Sequence, residues 1–293
     1  MYSILDLVGN TPIVEITKLH KNPKVKIFAK LEGHNPGGSV KDRAALGMIK
    51  GALERGELKA GMKLIEATSG NTGIALAMIA RLYDLELEII MPDNATKERV
   101  QTMEAFGAKV ILTPQSKSME GAIDYAAEQL KTGKYLMLNQ FANEDNYLAH
   151  YNSTGPEIWT QTNHTVTHFV SSMGTTGTIM GVSKYLKEQN SDIQIIGVQP
   201  TDGSNIPGIR RWPKEYLPKI FDPKRVDRII DVSQADATDM AKTLAKTEAI
   251  FSGMSSGGSV HAALSLAAEL EQGVIVCIIC DRGDRYLSSN LFQ

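Results

Sequence analysis

Apolar, strand-length runs alternate with helical segments of about 10–15 residues along most of this chain. Val25–Leu31 alternates as a strand, and Lys41–Arg55 carries Ala44, Ala45, Met48, Ile49 and Leu53 at helical spacing. The pattern continues with strands at Lys63–Ala67, Leu87–Met91 and Lys109–Leu112, and helices at Gly73–Tyr83, Lys97–Phe106 and Met119–Leu130. Further on, strands are expected at Thr165–Ser171, Ile193–Val198 and Val274–Cys280. Helices are expected at Thr178–Gln189, Asp236–Thr247 and Val260–Leu270. Strand followed by helix, repeated, means βαβ units and parallel sheets, so the expected class is α/β. A length of 293 residues exceeds one simple core and predicts two domains, each an open, mostly parallel twisted sheet flanked by helices. The composition places the break near Asn143–Asp145.

Bulk properties exclude several function classes. A formal net charge of −2 makes no electrostatic case for a nucleic-acid partner. No apolar run reaches the roughly 20 residues of a membrane span. The start, Met1-Tyr2-Ser3-Ile4-Leu5-Asp6, has neither a basic nor a long apolar region, so no secretory signal is expected. Two cysteines argue against a disulfide framework and agree with a reducing cytoplasm.

Three strand-to-helix loops carry chemistry. The first is Asn35-Pro36-Gly37-Gly38-Ser39-Val40-Lys41-Asp42-Arg43. Its glycines allow close approach of a bulky group, Ser39 can cap the following helix, and Lys41 opens it. A buried lysine near other cations has a lowered pKa and serves as nucleophile and base; a solvated lysine does neither. The second is Thr68-Ser69-Gly70-Asn71-Thr72-Gly73, whose backbone N–H groups at a helix N-terminus suit a carboxylate. The same residue types also make ordinary turns and caps. The third, Gly174-Thr175-Thr176-Gly177-Thr178, brings hydroxyls and N–H groups to a helix N-terminus and suits a phosphate ester. No Lys-Ser/Thr pair ends it, and its spacing is not the dinucleotide fingerprint, so a cofactor phosphate is the better reading than a nucleotide.

Together these segments resemble the fold-type II pyridoxal-phosphate enzymes, and within them the cysteine synthase/cystathionine β-synthase family. Gly9-Asn10-Thr11-Pro12, Asn139-Gln140-Phe141, Ser153-Thr154-Gly155-Pro156-Glu157, Ile206-Pro207-Gly208-Ile209, Gly253-Met254-Ser255-Ser256-Gly257-Gly258 and Arg285-Tyr286-Leu287-Ser288 extend the resemblance along nearly the whole chain. The Lys41 loop, Ile209-Arg210-Arg211-Trp212-Pro213 and Cys280-Asp281-Arg282-Gly283-Asp284-Arg285-Tyr286 resemble the B-type branch. The resemblance implies a tryptophan-synthase-β-like fold with pyridoxal phosphate in the interdomain cleft. It implies a smaller, mobile domain of residues 1–12 and 35–143, and a larger one of 13–34 and 144–293. Lys41 would bond the cofactor and act as the base. Asn71 would meet the ring hydroxyl; Thr68, Ser69, Thr72 and Gln140 would meet the substrate carboxylate; and Asn71 and Gly208 would also contact the substrate. Gly174, Thr175, Thr176, Gly177 and Thr178 would hold the phosphate, and Ser255 would face the pyridine nitrogen. The implied reaction converts O-acetyl-L-serine and sulfide, or thiosulfate, to L-cysteine or S-sulfocysteine, in a homodimer. The alternatives are an O-phosphoserine-dependent synthase, a serine/threonine dehydratase, a cystathionine β-synthase, or a non-catalytic protein that keeps the fold for binding.

Other features carry less. Pro200–Pro223 holds five prolines and little periodicity, and is expected to be a functional flap. Its Arg210 and Arg211, straight after Gly208, are candidates for a second anion, with no preference between them. Cys277 and Cys280 lie three apart in a strand and so face opposite sides, which excludes a dithiol or metal site. The histidines show no metal-ligand spacing and receive no role.

Overall fold

The computed structural model describes residues 3–289 and 291–292. The chain runs β1 (Ile13–Glu15), β2 (Val25–Leu31), α1 (Lys41–Glu54), β3 (Lys63–Ala67), α2 (Asn71–Leu82), β4 (Leu87–Pro92), α3 (Lys97–Ala105), β5 (Lys109–Thr113), α4 (Ser118–Leu130) and β6 (Tyr135–Leu136). It continues with α5 (Glu144–Ala149), a π-helical turn (His150–Thr154), α6 (Gly155–Gln161), β7 (His168–Ser172), α7 (Gly177–Gln189) and β8 (Gln194–Pro200). After the flap come β9 (Arg228–Val232), α8 (Gln234–Thr247), α9 (Met254–Glu269) and β10 (Gly273–Ile279).

The strands form two sheets. The larger has the order β1-β2-β10-β7-β8-β9, and the smaller β5-β4-β3-β6. Among the described strand pairs only β1–β2 is antiparallel. The N-terminal strands therefore belong to the sheet that the C-terminal half builds. Alternate residues of the large sheet are buried on opposite faces. Val170, Ile196 and Cys277 join α8 and α9 side chains in one core, whereas Phe169, Ile195 and Val276 join α6 and α7 in another. Leu64 and Ile89 of the small sheet pack on α1 and α2, and Ile65 and Ile90 pack on α4. Burial on both faces is why these strands read as near-continuous apolar runs.

The sequence reading lacked the short strands β1 and β6 and differs in three longer parts. Helix α9 begins at Met254, not Val260, and so takes in Gly257 and Gly258. A Cβ at Gly257 would stand 2.0 Å from the Ala237 carbonyl oxygen of α8, so glycine is there for close helix packing and not to end a helix. The α5–π–α6 stretch was not anticipated, because its first helix is short and its residues are mostly polar. Strand β9 was missed because it is an edge strand, with four of its five residues not buried.

Candidate active site at the carboxyl ends of the strands

The loops singled out by sequence meet at the carboxyl ends of parallel strands, where open α/β sheets place their ligands. The Lys41 loop follows β2, the Thr68 loop follows β3, the Gly174 loop follows β7, and Cys280 and Asp281 follow β10. Gln140 lies shortly beyond β6.

Gly38 holds φ of +82°, which turns the chain sharply into α1. Ser39 Oγ accepts the Lys41 N–H at 3.2 Å, and the Val40 N–H donates to the Cys280 carbonyl at 2.8 Å. These bonds stitch the start of α1 to the end of β10. Burial lowers the Lys41 pKa; the nearby Cys280 and Asp281 oppose the shift. Next to it, burial raises the Asp42 carboxyl to about 7, although it accepts the Gly37 N–H at 2.5 Å.

A buried ionic cluster anchors α1 from behind. Arg43 Nε and Nη2 reach the Glu32 carboxylate at 2.7 and 2.8 Å. Its Nη1 and Nη2 reach Glu157 on α6 at 2.6 and 2.7 Å. Lys30 Nζ joins Glu157 at 2.6 Å. The Arg43 charge holds Glu32 down at about 2 against a burial effect that would raise it.

In the second loop the Thr72 hydroxyl donates to Gln140 Oε1 at 2.8 Å. That contact occupies the Gln140 carbonyl and leaves its NH₂ group to donate elsewhere. Asn71 Nδ2 donates to Asp281 at 2.7 Å, and Asn71 Oδ1 accepts from Arg285. One Asn71 N–H remains for a ligand. Asp281 also accepts from the Tyr286 hydroxyl at 2.5 Å. Asp281 and Arg285 appeared in the sequence only as part of a resemblance; their signal was position, just past a strand's carboxyl end. Thr68 is buried and Ser69 half-buried in the same loop.

The third loop wraps the N-terminus of α7. Thr176 stands at its cap position with φ of +70°, a conformation rare for a β-branched residue and common where a ligand is held. Among the described residues its Oγ1 is buried with no hydrogen-bond partner, and Thr175 is also buried. An orphaned donor beside the exposed end of a helix dipole is what a phosphate would satisfy, so these residues suit pyridoxal phosphate.

Ser255 is buried in the first turn of α9, and Gly208 faces it: a Cβ on Gly208 would lie 3.6 Å from Ser255 Oγ. Cys280 lies beside Ser255 and Lys41, and burial pushes its thiol up to about 11, so it is a poor nucleophile. Cys277 packs on the opposite face, and both cysteines are free. Among the described residues no His, Cys, Asp and Glu group is placed to hold a metal. No described helix is long and apolar enough to cross a membrane.

The flap separates its two arginines. Arg211 is committed: it donates to the Pro200 carbonyl at 2.9 Å and pairs with Asp202 at 3.2 Å and Asp231 at 2.5 Å. Arg210 lies 5.3 Å from the Trp212 ring centroid. Trp212 Nε1 donates to the Gly174 carbonyl at 2.7 Å, and its ring meets Phe141 edge-on at 5.4 Å. The flap thus bridges the Gly174 loop and the residue after Gln140.

The family profile described as pyridoxal-phosphate dependent enzyme matches residues 4–281. The chain is 58% identical over 291 residues to cysteine synthase B of Pseudomonas aeruginosa, covering 99% of this chain and 97% of that one. It is 53% identical over 292 residues to cysteine synthase B of Escherichia coli, covering 100% and 96%. Its structure superposes on a crystal structure of cysteine synthase from Entamoeba histolytica with a TM-score of 0.95 at 39% identity, covering 100% of this chain and 90% of that chain. The chain belongs to the pyridoxal-phosphate dependent enzymes and, within them, to the cysteine synthases.

Proposed function

We propose that this chain makes L-cysteine by β-replacement: sulfide takes the place of the acetate of O-acetyl-L-serine. The observation that carries it is one set of neighbouring strand-end loops that brings together Lys41 with a lowered pKa, an orphaned Thr176 hydroxyl in a phosphate-type loop, and a serine at position 255. When bound, pyridoxal phosphate would supply an electron-withdrawing ring, and Ser255, if it meets the ring nitrogen, would not keep it protonated as a carboxylate does, which suits loss of a group from Cβ better than transamination. Lys41 Nζ anchors the cofactor and takes the Cα proton, for which a depressed pKa is required. Thr68, Ser69 and the Gln140 amide hold the substrate carboxylate; Thr72 aims that amide. Asn71 gives its remaining N–H to the ring hydroxyl. The Gly174–Thr178 loop holds the phosphate. Within the smaller domain the small-sheet part, residues 63–136, closes over the substrate, while α1 stays tied to Glu32 and Glu157 of the larger one. Two chains pair in the cytoplasm, and light scattering should give twice the chain mass.

The test is product formation by purified protein from O-acetylserine with sulfide. Pyruvate or 2-oxobutyrate formed from serine or threonine without sulfide would make it a dehydratase. Cystathionine formed with homocysteine would make it a cystathionine β-synthase. No turnover and no visible absorbance would leave a binding protein. The division of labour has its own test. Gln140→Ala should raise KM for O-acetylserine while the cofactor survives dialysis, whereas Thr176→Ala should lose cofactor on dialysis. Equal stripping from both variants would refute it.

The donor is tested in the flap. Thiosulfate is a dianion entering a site that already holds a carboxylate and a phosphate, so it needs a cation. Arg211 is occupied by two aspartates, which leaves Arg210. Arg210→Ala should lower kcat/KM for thiosulfate, or for O-phosphoserine, by roughly one to two decades more than for sulfide with O-acetylserine. Arg211→Ala should affect all donors alike. The reverse ranking would overturn the assignment.

A further inference from the structure

His150 and Asn146 lie four apart on the α5–π segment and so share one helix face. That face packs on the start of α7. Asn146 Nδ2 donates to the Gln140 carbonyl at 2.6 Å and to Thr175 Oγ1 at 3.2 Å. The carbonyl accepts only, so the amide orientation follows from it. Thr175 Oγ1 also accepts the Gly177 N–H at 3.3 Å. Both of its lone pairs are then engaged, and its own proton has no use except as a donor outward.

His150 arranges the other hydroxyl in the same way. Its Nδ1 is 2.8 Å from Thr154 Oγ1, and its Nε2 is 3.3 Å from Thr178 Oγ1. Both His150 and Thr154 are buried. Among the described residues Thr154 Oγ1 has no other side-chain or backbone partner, so a Thr154 proton not given to Nδ1 would go unbonded in the interior, at a cost. Thr154 therefore donates to Nδ1, and the single ring proton sits on Nε2 and donates to Thr178. The Thr178 oxygen is occupied as acceptor, and its proton also points outward. Burial, helped by the Arg43 and Lys41 charges, depresses His150 to about 3, so it keeps this neutral form at any working pH. A π turn at this point agrees with a functional placement, since such turns recur at functional sites.

We propose that the Asn146–His150 face is a positioning device for the phosphate loop: it forces the Thr175 and Thr178 hydroxyls to donate, so that the loop receives a phosphate dianion without a cationic side chain. Both residues act through the threonines and not on the phosphate. Asn146 in addition ties the phosphate loop to the carboxylate-binding Gln140. The proposal rests on the reading of Gly174–Thr178 as the phosphate site.

The experiment uses the full-length protein, freed of cofactor and titrated with pyridoxal phosphate and, separately, with pyridoxal, which lacks the phosphate. Absorbance and Trp fluorescence report the dissociation constants. His150→Leu should weaken pyridoxal phosphate by about tenfold, the loss of one hydrogen bond in an anion-binding chain, and leave pyridoxal unchanged. His150→Gln, whose amide N–H replaces Nε2–H, should restore most of that loss. In a Thr178→Val background His150→Leu should cost nothing more. Thr154→Val is nearly isosteric and frees the tautomer; it should weaken pyridoxal phosphate alone, by about two- to tenfold, and it decides the matter if His150→Leu does not fold. The ³¹P resonance of the holoenzyme should move in His150→Leu and not in His150→Gln. Equal weakening of both ligands, failure of His150→Gln to rescue, or additive loss in the double variant would each overturn the positioning role. Thr178→Val with unchanged affinity for pyridoxal phosphate, together with wild-type binding of pyridoxal as tight as that of the phosphate ester, would instead sink the phosphate-loop reading beneath it.

Discussion

Lys41→Ala protein should purify without the visible absorbance of a lysine–cofactor bond, and its kcat/KM for O-acetylserine and sulfide should fall by about 10³–10⁴-fold or more. One amine is asked to do two jobs, covalent anchor and base, and alanine does neither. The neighbours offer no substitute base. The Cys280 thiol is pushed up to about 11. Asp42, raised to about 7, already accepts the Gly37 N–H from within the loop. Added primary amines should return a small part of the rate, because a mobile base can enter the space that the side chain leaves. Single-turnover absorbance and product assays check this. Activity within tenfold of wild type would remove Lys41 from the mechanism.

Arg43→Ala should lower unfolding free energy by about 3–5 kcal/mol, a large part of what a typical protein possesses. The guanidinium is the common partner of Glu32 and Glu157 and also reaches Ser153 at 2.9 Å and Thr11 at 3.2 Å. Alanine would leave Glu32 buried with only neutral partners and the more distant charge of Lys30. Lysine should not rescue, because a point charge cannot bond two carboxylates with a planar fork. The pH dependence has a definite sign. Glu32 titrates near 4.5 when unfolded and at about 2 when folded. Its contribution is complete above pH 4.5 and drains away as pH falls toward 2. Without Arg43, burial governs Glu32 and raises its folded pKa, so the acid-unfolding midpoint should move upward. Urea titrations at pH 7 and acid titrations by circular dichroism measure both effects. A loss below about 1 kcal/mol with an unmoved acid midpoint would show the cluster to be decorative.

What could be read in advance was local. The Lys41, Thr68 and Gly174 loops each join an apolar strand to a helix, and that strand–loop–helix form is visible within a few positions of sequence. The burial of both sheet faces was legible as continuous apolar runs for the same reason. The residues that escaped act across distance. Asn146 and His150 matter because α5 packs on α7, and nothing near them in sequence says so. Arg43 received no role from the sequence, because its partners Glu32 and Glu157 come from elsewhere in the chain. Arg210 and Arg211 were equivalent as neighbours; only Asp202 and Asp231, brought close by β9 and the flap, tell them apart. The glycines of α9 misled for a related reason, since the packing that requires Gly257 lies on a different helix.

The placement of β10 has a consequence for how the molecule comes into being. Residues 273–279 enter the large sheet between β2 and β7, in register with Val25–Leu31 on one side and with 168–170 on the other. Strands at residues 25–31 and 168–172 are thus held apart until residues 273–279 leave the ribosome. Until then β2 has only the short β1 as partner, and the Cys280 carbonyl that anchors Val40 beside Lys41 has not been made. The small sheet, built wholly from residues 63–136, has all its strands long before. Synthesis therefore passes through a stage with one sheet finished and the other split. The lysine acquires these surroundings only once residue 280 has been made, so a chain that stopped before residue 273 would lack both the strand beside β2 and the anchor of Val40.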